Sequence, residues 1–193
     1  AIAVKLPLPP SCLTTIWGAD DAYVEKYLTR FPGYYETGDA GYCDEDGYFY
    51  IMARTDDVIN VAGHRLSTGQ LEEVLADHPD IAECAVIGVA DQLKGQLPLG
   101  LICLYPNCNR LQGDIMTEAI TLVKDRVGRV SSFNLIVVID RLPKTRSGKI
   151  LRGTIAKIAD GENWNMPATI DDPAILGEIK TALQSIGFAS YKS

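Results

Sequence analysis

Hydrophobic positions along the chain alternate between a period of two and a period near 3.6, and the switches mark out its elements. Ala1 to Leu8 alternates apolar and polar residues like a strand, until Pro7, Pro9 and Pro10 end it. From Asp20 to Leu28, Ala22, Tyr23 and Tyr27 recur at a spacing that predicts a short helix. Gly38-Asp39 and Asp46-Gly47 are turn dipeptides flanking an aromatic strand, Tyr48 to Ile51. Val58 to Val61 reads as a short strand, Gly63 as a turn, and His64-Arg65-Leu66 as the start of the next strand. Ser67 followed three residues later by Gln70 predicts a capping box. The helix behind it sets Leu71, Val74, Leu75 and His78 on one face, and Pro79 stops it.

Two buried-looking strands follow, Cys84 to Val89 and Leu99 to Leu104. A helix from about Asp114 to Val127 aligns Ile115, Ala119, Ile120, Leu122 and Val123, and Phe133 to Ile139 is a further strand. Leu142 to Lys149 is a polar loop, after which Ile150, Leu151, Thr154, Ile155 and Ile158 face inward from a helix. Beyond Gly161 the pattern returns as a helix near Ala174 to Leu183. Strands and helices mix without strict βαβ repetition, so the expected class is α+β.

Composition narrows the function classes. With 193 residues and 47% apolar positions the chain can bury a substantial core. A net charge of −7 and a pI near 4.8 argue against a nucleic-acid or anionic-membrane partner, because phosphate binding needs a basic face. No apolar run approaches the roughly 18 residues that span a bilayer, and Ala1 to Leu8 is too short for a signal-peptide core. The five cysteines (Cys12, Cys43, Cys84, Cys103, Cys108) form no C-x-x-C pair, and Cys84 and Cys103 sit inside apolar runs. That pattern predicts a reducing intracellular compartment, cytoplasm or mitochondrial matrix, and no zinc site. A strand beginning at residue 1 without an initiator methionine predicts a portion of a longer protein.

Three polar clusters carry candidate chemistry. In Tyr34-Tyr35-Glu36-Thr37-Gly38-Asp39, a carboxylate at a glycine turn is able to accept two hydrogen bonds from a ribose diol, or simply serves the turn. Arg54-Thr55-Asp56-Asp57 precedes Gly63-His64-Arg65; arginines pair bidentately with phosphate, and the same residues also suit a surface salt-bridge cluster. Lys144-Thr145-Arg146-Ser147-Gly148-Lys149 is not a P-loop, since the first glycine of that motif falls on Pro143 and its Ser/Thr on Ile150. A cationic loop still suits an anionic transition state, or else caps a helix as a solvated basic turn.

Taken in order, the runs Tyr35 to Asp39, Arg54 to Arg65 and Pro143 to Lys149 resemble the C-terminal signatures of adenylate-forming enzymes. Asn60, Gly63-His64-Arg65, Leu93-Lys94-Gly95 and Leu142 to Lys149 look most like the acetyl- and propionyl-CoA synthetases. Lys5 to Pro10 and Thr169-Ile170-Asp171-Asp172-Pro173 lean toward the propionyl branch. The resemblance implies the C-terminal part of an enzyme joining a short-chain carboxylate to CoA through an acyl-adenylate, using ATP, Mg2+ and CoA. It implies four segments: 1–53, the tail of the large N-terminal AMP-binding domain; 54–57, a hinge; 58–162, a mobile C-terminal domain; and 163–193, a tail with a short helix.

Carried over residue by residue, Asp39 holds the ribose hydroxyls with Arg54 as its partner, Arg65 approaches the ATP phosphates, and Asp56 is the hinge. Lys149 reaches the carboxylate and α-phosphate oxygens as the adenylate forms; as an ordinary ammonium it stays protonated and is no general base. In the second half-reaction Ala62 and Gly63 line the pantetheine tunnel. Lys124 stands where relatives often place an arginine against the CoA phosphates, and so lacks the bidentate fork. Relatives also hold a cation on backbone carbonyls near Ala76, His78 and Ile81; on its own, His78 reads as a helix-end residue. The implied partners are the protein's own N-terminal domain and a lysine acetyltransferase and deacetylase acting on Lys149, with no nucleic acid and no membrane. With no Gly-rich phosphate loop or acyl pocket in its sequence, the chain alone is expected to be inactive. The alternatives are another adenylate former, such as a longer-chain acyl-CoA ligase or a peptide-synthetase adenylation domain, and a non-catalytic interaction module. The Gly63-His64-Arg65 form speaks against the first, and the joint presence of Asp39, Arg54, Arg65 and Lys149 against the second.

Overall fold

A computed structural model describes residues 1–189, leaving aside the side chains of Met52 and Asp56. The chain divides into two compact units, Ala1–Asp56 and Asp57–Ser193.

The first unit is built from two small antiparallel pairs and a short helix. Strand β1 (Ala3–Lys5) pairs with β2 (Tyr34–Glu36), and β3 (Asp39–Cys43) with β4 (Phe49–Arg54). Helix α1 (Asp20–Tyr27) carries Tyr23 and Tyr27 into an aromatic cluster with Tyr35; the Tyr27 and Tyr35 rings stack at 5.1 Å. The sequence pattern found the aromatic strand and the helix but not β2 or β3, which flank the Gly38-Asp39 turn signal. Gly41 explains part of this. A Cβ there would lie 2.3 Å from the Tyr50 carbonyl oxygen, so the bulge between Ala40 and Gly41 needs a residue that strand propensity disfavours.

The second unit is a five-stranded mixed sheet with helices on both faces. A two-residue turn joins β5 (Val58–Val61) to β6 (His64–Ser67). The long hairpin of β7 (Ile81–Asp91) and β8 (Gly95–Leu104) forms the centre, and β9 (Leu135–Val138) runs parallel to β8. Side chains along these strands alternate between two buried sides, which is why the segments read as almost continuous apolar runs. Ala85, Ile87, Val89, Leu99, Leu101 and Val137 pack toward α4 (Arg152–Ala159) and α5 (Ile175–Ser185). Val86, Ile102 and Ile136 pack the other way, with Leu71 and Leu75 of α2 (Thr68–Ala76) and Ile115, Ala119 and Val123 of α3 (Gln112–Arg126). Gly100 is part of that second side. A Cβ there would come within 2.9 Å of Phe133 Cζ, and Phe133 is wholly buried.

The expected α+β class holds. At the start of α2, Ser67 Oγ accepts from the Gln70 N–H at 3.5 Å, so one leg of the capping box forms, and it is long. The segment past residue 162 belongs to the same compact unit as the sheet: Ile175, Leu176, Ile179 and Leu183 of α5 are buried and complete one core.

Strand β7 pairs with β8 alone among the described residues, so one row of its backbone donors faces outward. Two of these donors are covered. The Val86 N–H gives to Glu72 Oε1 at 2.8 Å, and the Ala90 N–H to Asp160 Oδ1 at 2.8 Å. Glu72 also receives a two-pronged bond from Arg152, Nε at 2.9 Å and Nη2 at 2.8 Å, so α2 and α4 are fastened together across the sheet edge.

Candidate functional site

In the first unit, Asp39 and Arg54 stand directly opposite each other in the β3–β4 ladder. Arg54 Nη1 lies 3.6 Å from Asp39 Oδ1 and 3.3 Å from the Thr37 carbonyl, to which it donates. Gly38 (φ +79°) makes this approach possible, because a side chain there would collide with the guanidinium at 2.7 Å. Thr55 donates both its N–H (2.8 Å) and its hydroxyl (3.1 Å) to the Gly38 carbonyl, and the Thr37 hydroxyl accepts from the Asp39 N–H at 3.1 Å. The Asp39 carboxylate is thus held on a rigid backbone and stays partly open to solvent, with capacity for further donors. On neighbouring β2, burial first and then the nearby Tyr27 and Tyr23 phenols push the Tyr35 phenol up.

In the second unit the β5–β6 turn is Ala62-Gly63, with φ of +49° and +89°. Both residues of this tight turn need the left-handed region, where alanine is strained. The Ala62 N–H donates to the Lys94 carbonyl at 2.8 Å, and Lys94 Nζ donates to Ser132 Oγ at 2.9 Å. The turn is therefore fastened to the β7–β8 turn, and through it to the segment leaving α3. Around Gly63 there is open space. Arg65, opposite Asn60 on β6, is exposed and makes no ion pair with the described residues. Lys124 is half-buried near the end of α3, where its carbonyl accepts from the Gly128 N–H at 3.1 Å.

Lys149 sits on a small hairpin in which Lys144 pairs antiparallel with Ile150. The Thr145 N–H donates to the Lys149 carbonyl at 2.8 Å, the Lys149 N–H to Thr145 Oγ1 at 3.0 Å, and the Gly148 N–H to the Thr145 carbonyl at 2.8 Å. Residues Arg146 to Lys149 are exposed, and the Lys149 ammonium has no ion pair among the described residues. Lys144 differs, being tied to Glu83 Oε1 at 2.6 Å. A groove of about 470 Å³ beside the hairpin is lined by Glu72, Glu73, Glu83 and Lys144 among others, an acidic surface that does not suit a polyphosphate.

At His78 the expectation concerned the backbone carbonyl, and the ring is engaged elsewhere. The ring is buried; Nδ1 accepts from the Asp80 N–H at 3.2 Å, which leaves Nε2 as the protonated nitrogen facing Glu118 Oε2 at 3.2 Å. Arg110 bonds both Asp80 and Glu118 and holds the Glu118 carboxyl below its ordinary range. The His78 carbonyl already accepts from the Ile81 N–H at 3.1 Å, and no group of three His, Cys, Asp or Glu able to hold a metal occurs among the described residues. Asp56 falls in the 3-10 turn Thr55–Asp57 at the boundary between the two units; its side chain lies outside the described ones. The expected residues are thus divided between the units: Asp39 pairs with Arg54 in the first, while Arg65, the Ala62-Gly63 turn, Lys124 and Lys149 stand on different elements of the second. Thr37 and Thr55 lie inside the motif runs but were given no role by the sequence; their hydroxyls orient the Asp39–Arg54 pair through local hydrogen bonds.

Residues 70–149 match the AMP-binding enzyme C-terminal domain. An uncharacterized Pseudomonas aeruginosa protein is 56% identical over 95% of this chain and 29% of its own length. The human acyl-CoA synthetase short-chain family member 3, mitochondrial, is 45% identical over 95% of this chain and 27% of its own. The Escherichia coli propionate–CoA ligase is 43% identical over 95% of this chain and 30% of its own. The chain therefore spans under a third of the length of these relatives. Among solved structures, the anthranilate CoA ligase AuaEII in complex with anthranoyl-AMP is 31% identical with a TM-score of 0.56, over 66% of this chain and 24% of that one. ATP-bound MatB from Rhodopseudomonas palustris, at 19% identity, shares the fold with a TM-score of 0.64 over 78% of this chain and 29% of its own. Residues 70–149 thus carry the AMP-binding enzyme C-terminal domain, in a chain that is similar over nearly its whole length to the short-chain acyl-CoA synthetases.

Proposed function

We propose that this chain is the C-terminal part of an ATP-dependent acid–thiol ligase that activates a short-chain carboxylate, propionate or acetate, to its acyl-CoA. The presentation of Lys149 carries the reading: an exposed cation without an ion-pair partner among the described residues, at the end of a braced hairpin. A lysine with a structural duty is paired, as Lys144 is to Glu83 five residues earlier. The 43% identity to a propionate–CoA ligase supports a short-chain acid over a longer one.

In the first half-reaction a carboxylate oxygen attacks the α-phosphorus of ATP, and the bond to pyrophosphate breaks. The Lys149 ammonium meets the negative charge on the carboxylate and α-phosphate oxygens, an electrostatic contribution made without proton transfer. Asp39 accepts from the ribose hydroxyls with Arg54 beside it, and Arg65 faces the phosphates. In the second half-reaction the CoA thiolate attacks the acyl carbon and AMP leaves. Here Ala62 and Gly63 flank the thiol arm, and Lys124 meets the CoA phosphates. The open space at Gly63 supports this role. Asp56 is the hinge between the two poses, a role supported by its place where the two compact units meet. Mg2+ arrives with ATP, since the described residues offer no side-chain cluster to hold a resident ion. The partners are the protein's own N-terminal domain and an acetyltransferase and deacetylase that remove and restore the Lys149 charge. The compartment is intracellular and reducing, a reading supported by five unpaired cysteines. No helix among the described residues is long and apolar enough to cross a membrane.

The test uses the full-length protein with acetate, propionate or butyrate, following pyrophosphate exchange and then thioester formation. Lys149→Gln should lower exchange by at least about 100-fold while sparing thioester formation from supplied acyl-adenylate. Equal loss in both steps sinks the assignment, as does ATP- and carboxylate-dependent AMP release by the 193-residue chain alone.

A further inference from the structure

We propose that Thr169–Asp171 is a positioning strap for Lys149, fastened through its backbone. The inference rests on the reading of Lys149 given above and adds to it. Alone, the Lys144–Ile150 hairpin is a two-stranded turn with an exposed tip, and such a unit is poorly restrained in water. Here a third strand lies along it. Thr145 pairs antiparallel with Ile170, the Arg146 N–H donates to the Thr169 carbonyl at 2.9 Å, and the Asp171 N–H donates to the Lys144 carbonyl at 3.0 Å. The strap is itself anchored. Ile170 is 5% exposed within the core beneath α4, and α5 begins five residues later with Ile175 and Leu176 buried. The lysine loop therefore takes its position from a segment some twenty residues downstream, beyond residue 149 where the match to the C-terminal domain ends.

Asp171 allows the idea to be isolated. Its side chain is exposed and makes no bond to the described residues, so its contribution is the backbone N–H alone. Asp171→Ala keeps that donor. Asp171→Pro removes it, and Ile170 sits in an antiparallel bridge, a pairing that uses the extended backbone a following proline favours. In the full-length enzyme, Asp171→Pro should lower pyrophosphate exchange about tenfold, because a small displacement of a charge-stabilising group is costly to the chemical step. Thioester formation from supplied acyl-adenylate should stay within about twofold, since Lys149 has no part in it, and Asp171→Ala should match the parent in both assays.

Lys149→Ala is run alongside. If it leaves exchange intact, the lysine assignment itself fails. If it abolishes exchange while Asp171→Pro does not lower it, the strap alone is wrong. Equal slowing of both half-reactions by Asp171→Pro also overturns the strap, for that is the mark of general destabilisation. Should the proline variant fail to fold, hydrogen exchange on the parent enzyme decides. Amides of Arg146 and Asp171 exchanging at matched, slowed rates support the strap; Arg146 exchanging at least about tenfold faster than Asp171 overturns it.

Discussion

Replacing Arg152 by methionine should cost more than a surface ion pair is worth. Arg152 makes two bonds to Glu72, at 2.9 and 2.8 Å, and the same carboxylate accepts the Val86 N–H of the sheet edge. The two side chains are 23% and 16% exposed, so the pair is mostly but not wholly removed from water. Charge-assisted bonds contribute about 1.5–3 kcal/mol each, and a buried carboxylate stripped of its partner is heavily penalised. Residual water contact reduces both figures, leaving an expected loss of about 2–3 kcal/mol for Arg152→Met. Methionine keeps most of the apolar stem that packs beneath the guanidinium, so the change isolates the fork.

Urea unfolding followed by tryptophan emission measures this in the second unit. Trp164 packs against the α4–α5 core, whereas Trp17 is fully exposed, so a Trp17→Phe background makes the signal specific. The midpoint should fall with an unchanged m-value. In a cycle with Glu72→Met, the double variant should be more stable than the sum of the single losses predicts, by at least about 1 kcal/mol. A loss under about 0.5 kcal/mol for Arg152→Met together with zero coupling would mean that the fork behaves like any surface pair, and the edge-clamp reasoning fails. Both Glu72→Met variants should also aggregate more readily, because the Val86 donor is then free to pair with another chain.

Four further outcomes follow from other positions. Gly100→Ala should cost about 1–3 kcal/mol in the same unfolding assay, since its methyl group meets the Phe133 ring at 2.9 Å. Ala62→Gly should raise stability by about 0.5–1 kcal/mol by relieving the positive φ of +49°; a loss would mean that the turn is not strained. Burial pushes the Cys84 and Cys103 thiols from 9.0 to about 11. Their folded values are raised, so the associated stability is intact below about pH 9 and declines as pH rises toward 11, which alkaline urea titrations should register. Iodoacetamide at pH 8 should accordingly modify exposed Cys12 and Cys43 well before Cys84 and Cys103.

What the sequence disclosed depended on the range of the interactions involved. Helices α2 and α3 and the strands of the central sheet announce themselves because burial on one or both faces imposes a period on neighbouring residues. The motifs of the candidate site stood out for a similar reason: Tyr35 to Asp39 and Pro143 to Lys149 are contiguous runs. Strand β2 was missed because three residues are too few for an alternation to show, and β3 because its residues are chosen for a tight bulge at Gly41 and for pairing with Arg54, which local propensity opposes. The pairing of Asp39 with Arg54 is a matter of register, which no short window records.

The tail exposes the same limit at the site itself. Read locally, Thr169 to Pro173 is a polar turn before a weak helix. Its contacts are backbone groups meeting the backbone of residues 144–146, and a backbone bond places little demand on side-chain identity. The demand falls instead on Ile170 and α5, which must be apolar to hold the strap in place. Apolar residues past the last recognisable motif are therefore the sequence trace of a lysine loop braced from behind. On the function proposed above, substitutions that loosen Ile175 or Ile179 should slow pyrophosphate exchange through the hairpin, at a distance from any residue proposed to touch the nucleotide.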